Sequence, residues 1–153
     1  MEIYFSGCTF SANDANVLKQ CQDFMVKNLE SLNEEITDCI KLNEDSVEIE
    51  EFEFMPDDDS FDDVYEFLIM FPSKWINENP TADFEYDASF DVADQPLSVD
   101  AIYNNQKLII NTYYDSEYHF EKGSYSNDAL ETEEIDYEEY QALGGPEIDE
   151  DCL

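Results

Sequence analysis

The sequence predicts an α+β fold: one long N-terminal helix packed on an antiparallel sheet of about five to seven strands, with an acidic C-terminal helix or tail. Three observations carry this. Leu18, Cys21, Met25, Leu29, Leu32 and Ile36 recur at spacings of three and four, the period of a helix with one buried face. The stretch Asp83-Phe84-Glu85-Tyr86-Asp87-Ala88-Ser89-Phe90-Asp91-Val92 alternates apolar with polar residues, the period of a half-buried strand. Finally, 11 Phe, 10 Tyr and one Trp within 42% apolar residues supply the core material that such a body needs.

The charge argues in the opposite direction. Forty acids stand against six lysines, no arginine and one histidine, for a formal net charge of -34 on 153 residues. Self-repulsion on that scale ordinarily leaves a chain disordered, so the aromatic content decides for a folded body. Residues 1–123 are expected to form a single α+β domain, and residues 124–153 an acidic segment, partly helical or flexible. A fold that retains so much repulsion is expected to retain it for a partner.

In chain order, residues 3–10 read as the first strand. Ser11 stands where a helix N-cap belongs, before a helix over residues 12–34 whose stripe is widened by Val17 and Phe24. Residues 36–55 read as two strands joined by the turn Asn43-Glu44-Asp45-Ser46, the alternative being that residues 36–42 continue the helix. Val47 and Ile49 are apolar at odd positions but Phe52 and Phe54 at even ones, so the alternation slips at Glu50-Glu51 and a β-bulge is expected there. After a turn at residues 56–60, residues 64–71 read as a central apolar strand, and residues 72–77 as a short helical turn closed by Pro80, with Trp75 as packing. Asn104-Asn105-Gln106 separates residues 99–103 from 107–114 as a hairpin. Beyond Ser124 the acids thicken, and Ser126 or Asn127 would cap a helix ending at Leu143 with Gly144 as its C′ residue.

Catalytic chemistry finds little support. His119 has no GxSxG or similar nucleophile motif nearby and reads as a hydrogen-bonded structural residue. The four glycines make no GxGxxG or GxxxxGK[ST] loop. Asp57-Asp58-Asp59-Ser60-Phe61-Asp62-Asp63 is rich in oxygen ligands, but a calcium loop started at Asp58 puts Asp63 where the sharp-turn Gly belongs and Ile69 where the bidentate Glu belongs. No cofactor, metal or enzymatic activity is expected. Cys8, Cys21, Cys39 and Cys152 form no CxxC pattern and read as thiols, with Cys21 a small buried hydrophobe. The longest apolar run, Phe67-Leu68-Ile69-Met70-Phe71, is far short of the ~20 residues of a membrane span, and the N-terminus lacks a signal peptide's basic and apolar regions. A cytoplasmic protein with no membrane contact is expected.

What remains is charge as function. Because residues i and i+2 share one side of a strand, Asp83, Glu85 and Asp87 would stand ~6.6 Å apart as a line of carboxylates, with Asp91 further along. Acids are dense also at Glu48, Glu50 and Glu53, at Asp57, Asp58, Asp59, Asp62 and Asp63, and at Glu133, Glu134, Asp136, Glu138 and Glu139. These are the candidate contacts to the basic groove of a nucleic-acid-binding protein, with no direct binding of nucleic acid. A homodimer would extend such a surface.

In size, acidity, lack of arginine and aromatic content the chain resembles the DNA-mimic inhibitors that bacteriophages and plasmids encode against restriction enzymes, CRISPR effectors and other DNA-binding host proteins. The most typical patches are Asp83-Phe84-Glu85-Tyr86-Asp87 and Glu133-Glu134-Ile135-Asp136-Tyr137-Glu138-Glu139-Tyr140. The resemblance implies stoichiometric blockade of a DNA site inside an infected or plasmid-bearing cell. Three other readings share the composition. An immunity protein neutralising a basic nuclease toxin differs only in its partner. An acidic chaperone of a basic protein would act mainly through a disordered tail. Halophilic adaptation fits poorly with the abundant Asn, Ile, Tyr and Phe.

Overall fold

The computed structural model describes residues 3–54, 59–93 and 95–148. It is an α+β protein built on a nine-stranded antiparallel sheet, larger than the five to seven strands expected. The strands are β1 (Ile3–Ser11), β2 (Ile40–Leu42), β3 (Ser46–Ile49), β4 (Phe52–Phe54), β5 (Phe84–Val92), β6 (Gln95–Asn104), β7 (Lys107–Tyr114), β8 (Glu117–Ser126) and β9 (Ala129–Ile135). Their order is β2-β3-β1-β5-β6-β7-β8-β9, with β4 pairing β1 beyond β3. The helices are α1 (Ala15–Glu30), α2 (Glu34–Thr37), α3 (Phe61–Ile69), α4 (Phe71–Glu78) and α5 (Tyr137–Ala142).

The helical layer is therefore not one long N-terminal helix. Ser11 belongs to β1, paired with Ser46 and Glu85, so it cannot cap; Asp14 does, its side chain accepting from the Asn16 and Val17 N–H groups. α1 buries Leu18, Cys21, Met25 and Leu29 and stops at Ser31. Asn33 then caps the separate α2, which buries Ile36.

Residues 64–71, expected as a central strand, are helical. Val64, Phe67, Leu68 and Phe71 recur at three and four and are all buried in the core. Asp62 and Asp63 occupy the first turn of α3, where the helix dipole favours acids. Pro72 sits in the first turn of α4, where its missing N–H costs nothing, and Trp75 is packing matter as expected, 1% exposed.

One face of the sheet meets α1, α3 and α4 in an aromatic core. The Phe10 ring centre lies 5.1 Å from Phe84, 5.3 Å from Trp75 and 5.8 Å from Phe71, and Phe71 stacks on Tyr86 at 4.7 Å. The Tyr86 hydroxyl is satisfied by donating to the Leu68 carbonyl at 2.5 Å.

The slip in alternation at Glu50-Glu51 is real and is shared with a neighbour. β1 points Ile3 and Phe5 inward, then Cys8 and Phe10. Its partners change parity at the same level, Phe52 opposite Phe5 and Ile49 opposite Cys8, where β3 gives way to β4. Against β5 the register of β1 shifts between Phe5 and Gly7, and Gly7 takes a φ of 128°, open to glycine and strained for other residues.

From β5 onward the sheet is a meander of adjacent strands. Asn105-Gln106, Asp115-Ser116 and Asn127-Asp128 make its last three turns, each with positive φ at both residues, as a type I′ hairpin turn requires. The Asn127-Asp128 turn corrects the expected helix from residue 126 or 127 to Leu143. Residues up to Ile135 form β9, and α5 starts only after Asp136, whose carboxylate caps it by accepting from the Glu139 N–H at 2.8 Å. α5 lies on the outer sheet face, away from the other helices, and makes a second small core there with Ile109, Phe120 and Tyr140.

Candidate partner-binding face

On the outer face, strand register fixes which acids meet. Side chains on β5 alternate, so Phe84, Tyr86, Ala88 and Phe90 enter the core and Glu85, Asp87, Ser89 and Asp91 face outward. Pairing across the sheet then sets three rows. One runs Glu48, Thr9, Asp87, Asp100, Asn111, Phe120 and Ile135 from β3 to β9. A second runs Ser46, Ser11, Glu85 and Ile102. The third runs Glu53, Tyr4, Asp91 and Pro96.

β1 thus contributes hydroxyls (Tyr4, Thr9, Ser11) between two rails of carboxylates, one on β3–β4 and one on β5. Glu50 and Glu51, in the β3–β4 interruption, join the first rail; Lys41 bonds Glu50 at 2.6 Å, and the Tyr4 hydroxyl donates to Glu51. An open cleft of about 750 Å³ runs between the rails, lined among others by Gly7, Thr9, Glu48, Glu50, Glu51 and Asp87. Beside it a cleft of about 140 Å³ is lined by Thr9, Ser11, Glu85, Asp87, Asp100 and Tyr140 among others.

Asp87 and Asp100 face each other directly across the β5–β6 ladder. Their tips reach solvent, yet the surrounding face strips part of their hydration, and this pushes both carboxyls up. For Asp100 the loss of hydration, followed by the charge of Asp87, raises it to about 6.

Of the acids singled out in the sequence, the fold brings Glu48, Glu50, Glu53, Glu85, Asp87 and Asp91 onto this surface. Asp83 precedes β5 and accepts from the Asn105 N–H at 3.0 Å, tying down the β6–β7 turn. Asp59, Asp62 and Asp63 lie at α3, in the helical layer across the sheet, and Asp57 and Asp58 fall outside the described residues. The C-terminal group is split. Asp136 is a helix cap, Glu138 is exposed on α5, and Glu134 takes the alternation of the helical side. Glu133 and Glu139 are both held by Lys122, at 3.1 and 2.8 Å. α5 and this lysine close the far end of the outer face, next to an 880 Å³ cleft that includes Lys107, Lys122, Ile109 and Leu143.

Sequence reasoning missed Glu51 and Asp100. Asp100 alternates with Val99 and Ala101 in the hairpin already read, so its outward direction was legible; its position opposite Asp87 depends on register. His119 is held differently from the hydrogen-bonded residue expected: it stacks on Tyr114 at 4.0 Å, and its buried Nε2 has no partner. Cys21 is fully buried as expected, and burial pushes the neighbouring Cys8 thiol up to about 12, so both are inert thiols.

Among the described residues there is no group of three His, Cys, Asp or Glu side chains arranged to hold a metal ion, and no helix is long and apolar enough to cross a membrane. Compared with family models, curated proteins and solved structures, the chain matches none.

Proposed function

We propose that this protein is a stoichiometric inhibitor whose outer sheet face occupies the nucleic-acid-binding groove of a basic protein, in the manner of a DNA mimic directed at a restriction or CRISPR effector. It acts by occupation, without catalysis or cofactor. The observation that carries the reading is the pair of carboxylate rails on β3–β4 and β5, held in register by the sheet; of the described lysines only Lys41 lies beside the rails, Lys107 and Lys122 standing at the far end of the same face.

The spacing supports it in magnitude. The β5 rail carries Glu85, Asp87 and Asp91, with Ser89 between the last two, and the β3–β4 rail carries Glu48, Glu50, Glu51 and Glu53; these seven carboxylates, less the charge of Lys41, leave about one charge per ~3.3 Å over ~20 Å of strand. Duplex DNA carries one per ~1.7 Å, so the face presents about half its axial charge density, with Asp100 adding to it near the middle. What the face lacks in charge it can add in fixed shape and in the hydroxyls of Tyr4, Thr9 and Ser11. An acidic chaperone would work through a disordered tail; residues Ala129–Ile135 are instead a paired strand, which favours the folded-face reading.

The test is competition. A target captured from host lysate at moderate salt is incubated with a labelled DNA duplex and increasing amounts of the inhibitor. The two are expected to exclude one another, with inhibitor affinity falling as salt rises. A ternary complex at saturating concentrations of both would refute occupation of the nucleic-acid site.

A further inference from the structure

Residues 136–148, which hold α5 and the chain that returns along it, are joined only lightly to the rest of the fold. Much of their bonding is internal. The Gly145 N–H donates to the Tyr140 carbonyl at 3.0 Å, and the Tyr137 hydroxyl accepts from the Ile148 N–H at 2.7 Å and donates to the Ile148 carbonyl at 3.1 Å. Their apolar side chains enter the small core with Ile109 and Phe120, on the opposite side of the sheet from the main core that α1, α3 and α4 share.

Two polar links reach the sheet, and neither is firm. Lys122 on β8 bonds Glu139 at 2.8 Å, but both side chains are at least a third exposed, so solvent weakens the pair. The other link, from Asn111 Nδ2 to the Tyr140 hydroxyl, is buried and strands a group: with α5 closed over it, Asn111 Oδ1 is buried without a donor from the chain. Undocking admits water to that oxygen, so the bond that holds the helix is partly offset by the acceptor left unpaired beside it.

The two ends of the segment add to this. Beyond Tyr140, Leu143 is 48% exposed above the 880 Å³ cleft whose lining includes Ile102 and Ile109, so the C-terminal end of α5 stands off the sheet. Pro146 borders the cleft that holds Glu85, Asp87 and Asp100, and the segment itself carries Asp136, Glu138, Glu139 and Glu147, so like charges oppose docking. A helix of six residues is not stable by itself in water, and α5 therefore exists only while docked.

We propose that residues 136–148 form a strap that opens as a unit, about the joint between Ile135 and Asp136, while the nine-stranded sheet stays folded. Closed, the strap seals Ile109 and Phe120. Open, it leaves them as an apolar patch continuous with the row of Asp87 and Asp100, because Phe120 lies in that row and Ile109 in the next. The device holds whether or not the outer face occupies a nucleic-acid-binding groove.

Native-state hydrogen exchange of the full chain, resolved by residue, tests it. The Tyr140, Leu143 and Gly145 amides, which donate within the strap, are expected to exchange on the order of 10³-fold slower than an open chain and at least a hundredfold faster than those of β5 and β6. Their rates should not change in low urea, the mark of a local opening. The buried joint then gives two signs. Tyr140→Phe leaves both ends of the Asn111 amide unpaired and should speed strap exchange about tenfold, whereas adding Asn111→Leu removes the stranded amide and should return the rate to the parent's or below it. Sheet amides should be unmoved in both. Tyr140→Ala should open the strap outright, with Nile red fluorescing on the uncovered patch while the sheet stays protected. Strap amides that exchange only together with β5 and β6, with the same urea dependence, overturn the proposal. So does a Tyr140→Phe chain whose strap exchanges no faster, a double variant that exchanges faster still, or dye binding that comes only with loss of sheet protection.

Discussion

Asn111 donates from Nδ2 to the Tyr140 hydroxyl at 2.8 Å, and the two residues are only 4% and 1% exposed although both lie on the outer face of the sheet. This bond is the polar joint by which α5 docks. Around it the Tyr140 ring packs 4.8 Å from Phe120, and the close approach of Gly145 to that ring leaves no room for a Cβ. Tyr140→Phe keeps the ring but removes the partner of a buried amide, and is expected to cost about 1–3 kcal/mol. Tyr140→Ala also empties the small core and should cost about 3–5 kcal/mol, detaching α5. Urea unfolding of both variants measures this; a Tyr140→Phe chain as stable as the parent would mean that the bond does not hold the helix.

The Asp100 carboxyl makes a pH prediction whose sign is opposite to that of a salt-bridged acid. Its folded-state value of about 6 lies above the ordinary 3.8 of the unfolded chain. Between those values the folded state keeps a proton that the unfolded state has released, so stability rises as the pH falls from 7 towards 5. Because the side chain reaches solvent, its share is screened to on the order of 1 kcal/mol. Asp100→Asn should therefore be more stable than the parent at pH 7 and gain less from acidification. Urea midpoints at pH 7 and pH 5 decide it, and an equal gain in both chains would place the linkage elsewhere.

How much of this was legible in the sequence differs by element, for physical reasons. β5 could be read from Asp83 to Val92 because it is covered on one face only, so burial writes a strict alternation into it. The core stripe of α1 was legible for the same reason with a different period, while its cap was misplaced because β1 takes Ser11 for pairing. Residues 64–71 misled because a short helix buried in the core has too few polar residues to show its period, and the run Phe67-Leu68-Ile69 reads equally as a strand. The Asn127-Asp128 turn carried the same left-handed chemistry as Asn105-Gln106, but the acids of β9 masked its alternation. For the candidate face, the acids were visible and their partners were not. That Asp87 meets Asp100, and that Asp62 lies across the sheet from both, follows from register and layer alone.

That division of acids between two sides of the sheet yields a test of whether recognition uses an ordered surface or the total charge. Replacing Glu85, Asp87, Asp91 and Asp100 by Gln or Asn neutralises the centre of the outer face with little change of shape. Replacing Asp59, Asp62, Asp63 and Glu66 removes the same charge from the other side, at and just before α3, where all of these residues are exposed. Both variants should fold, and both should gain stability at low salt as self-repulsion falls. Affinity for the target is where they should part. A carboxylate that meets a lysine or arginine in a partly desolvated groove is worth about 1–3 kcal/mol, whereas a charge remote from contact or at an exposed rim contributes less than about 1. The outer-face variant should therefore lose binding by several orders of magnitude, and the α3 variant should lose little beyond a slower association, since distant charges steer encounter more than they hold the complex. Binding measured by surface plasmon resonance at two salt concentrations separates the two effects. Equal losses in both variants would show that bulk charge suffices, and an outer-face variant that binds like the parent would remove that face from the interface.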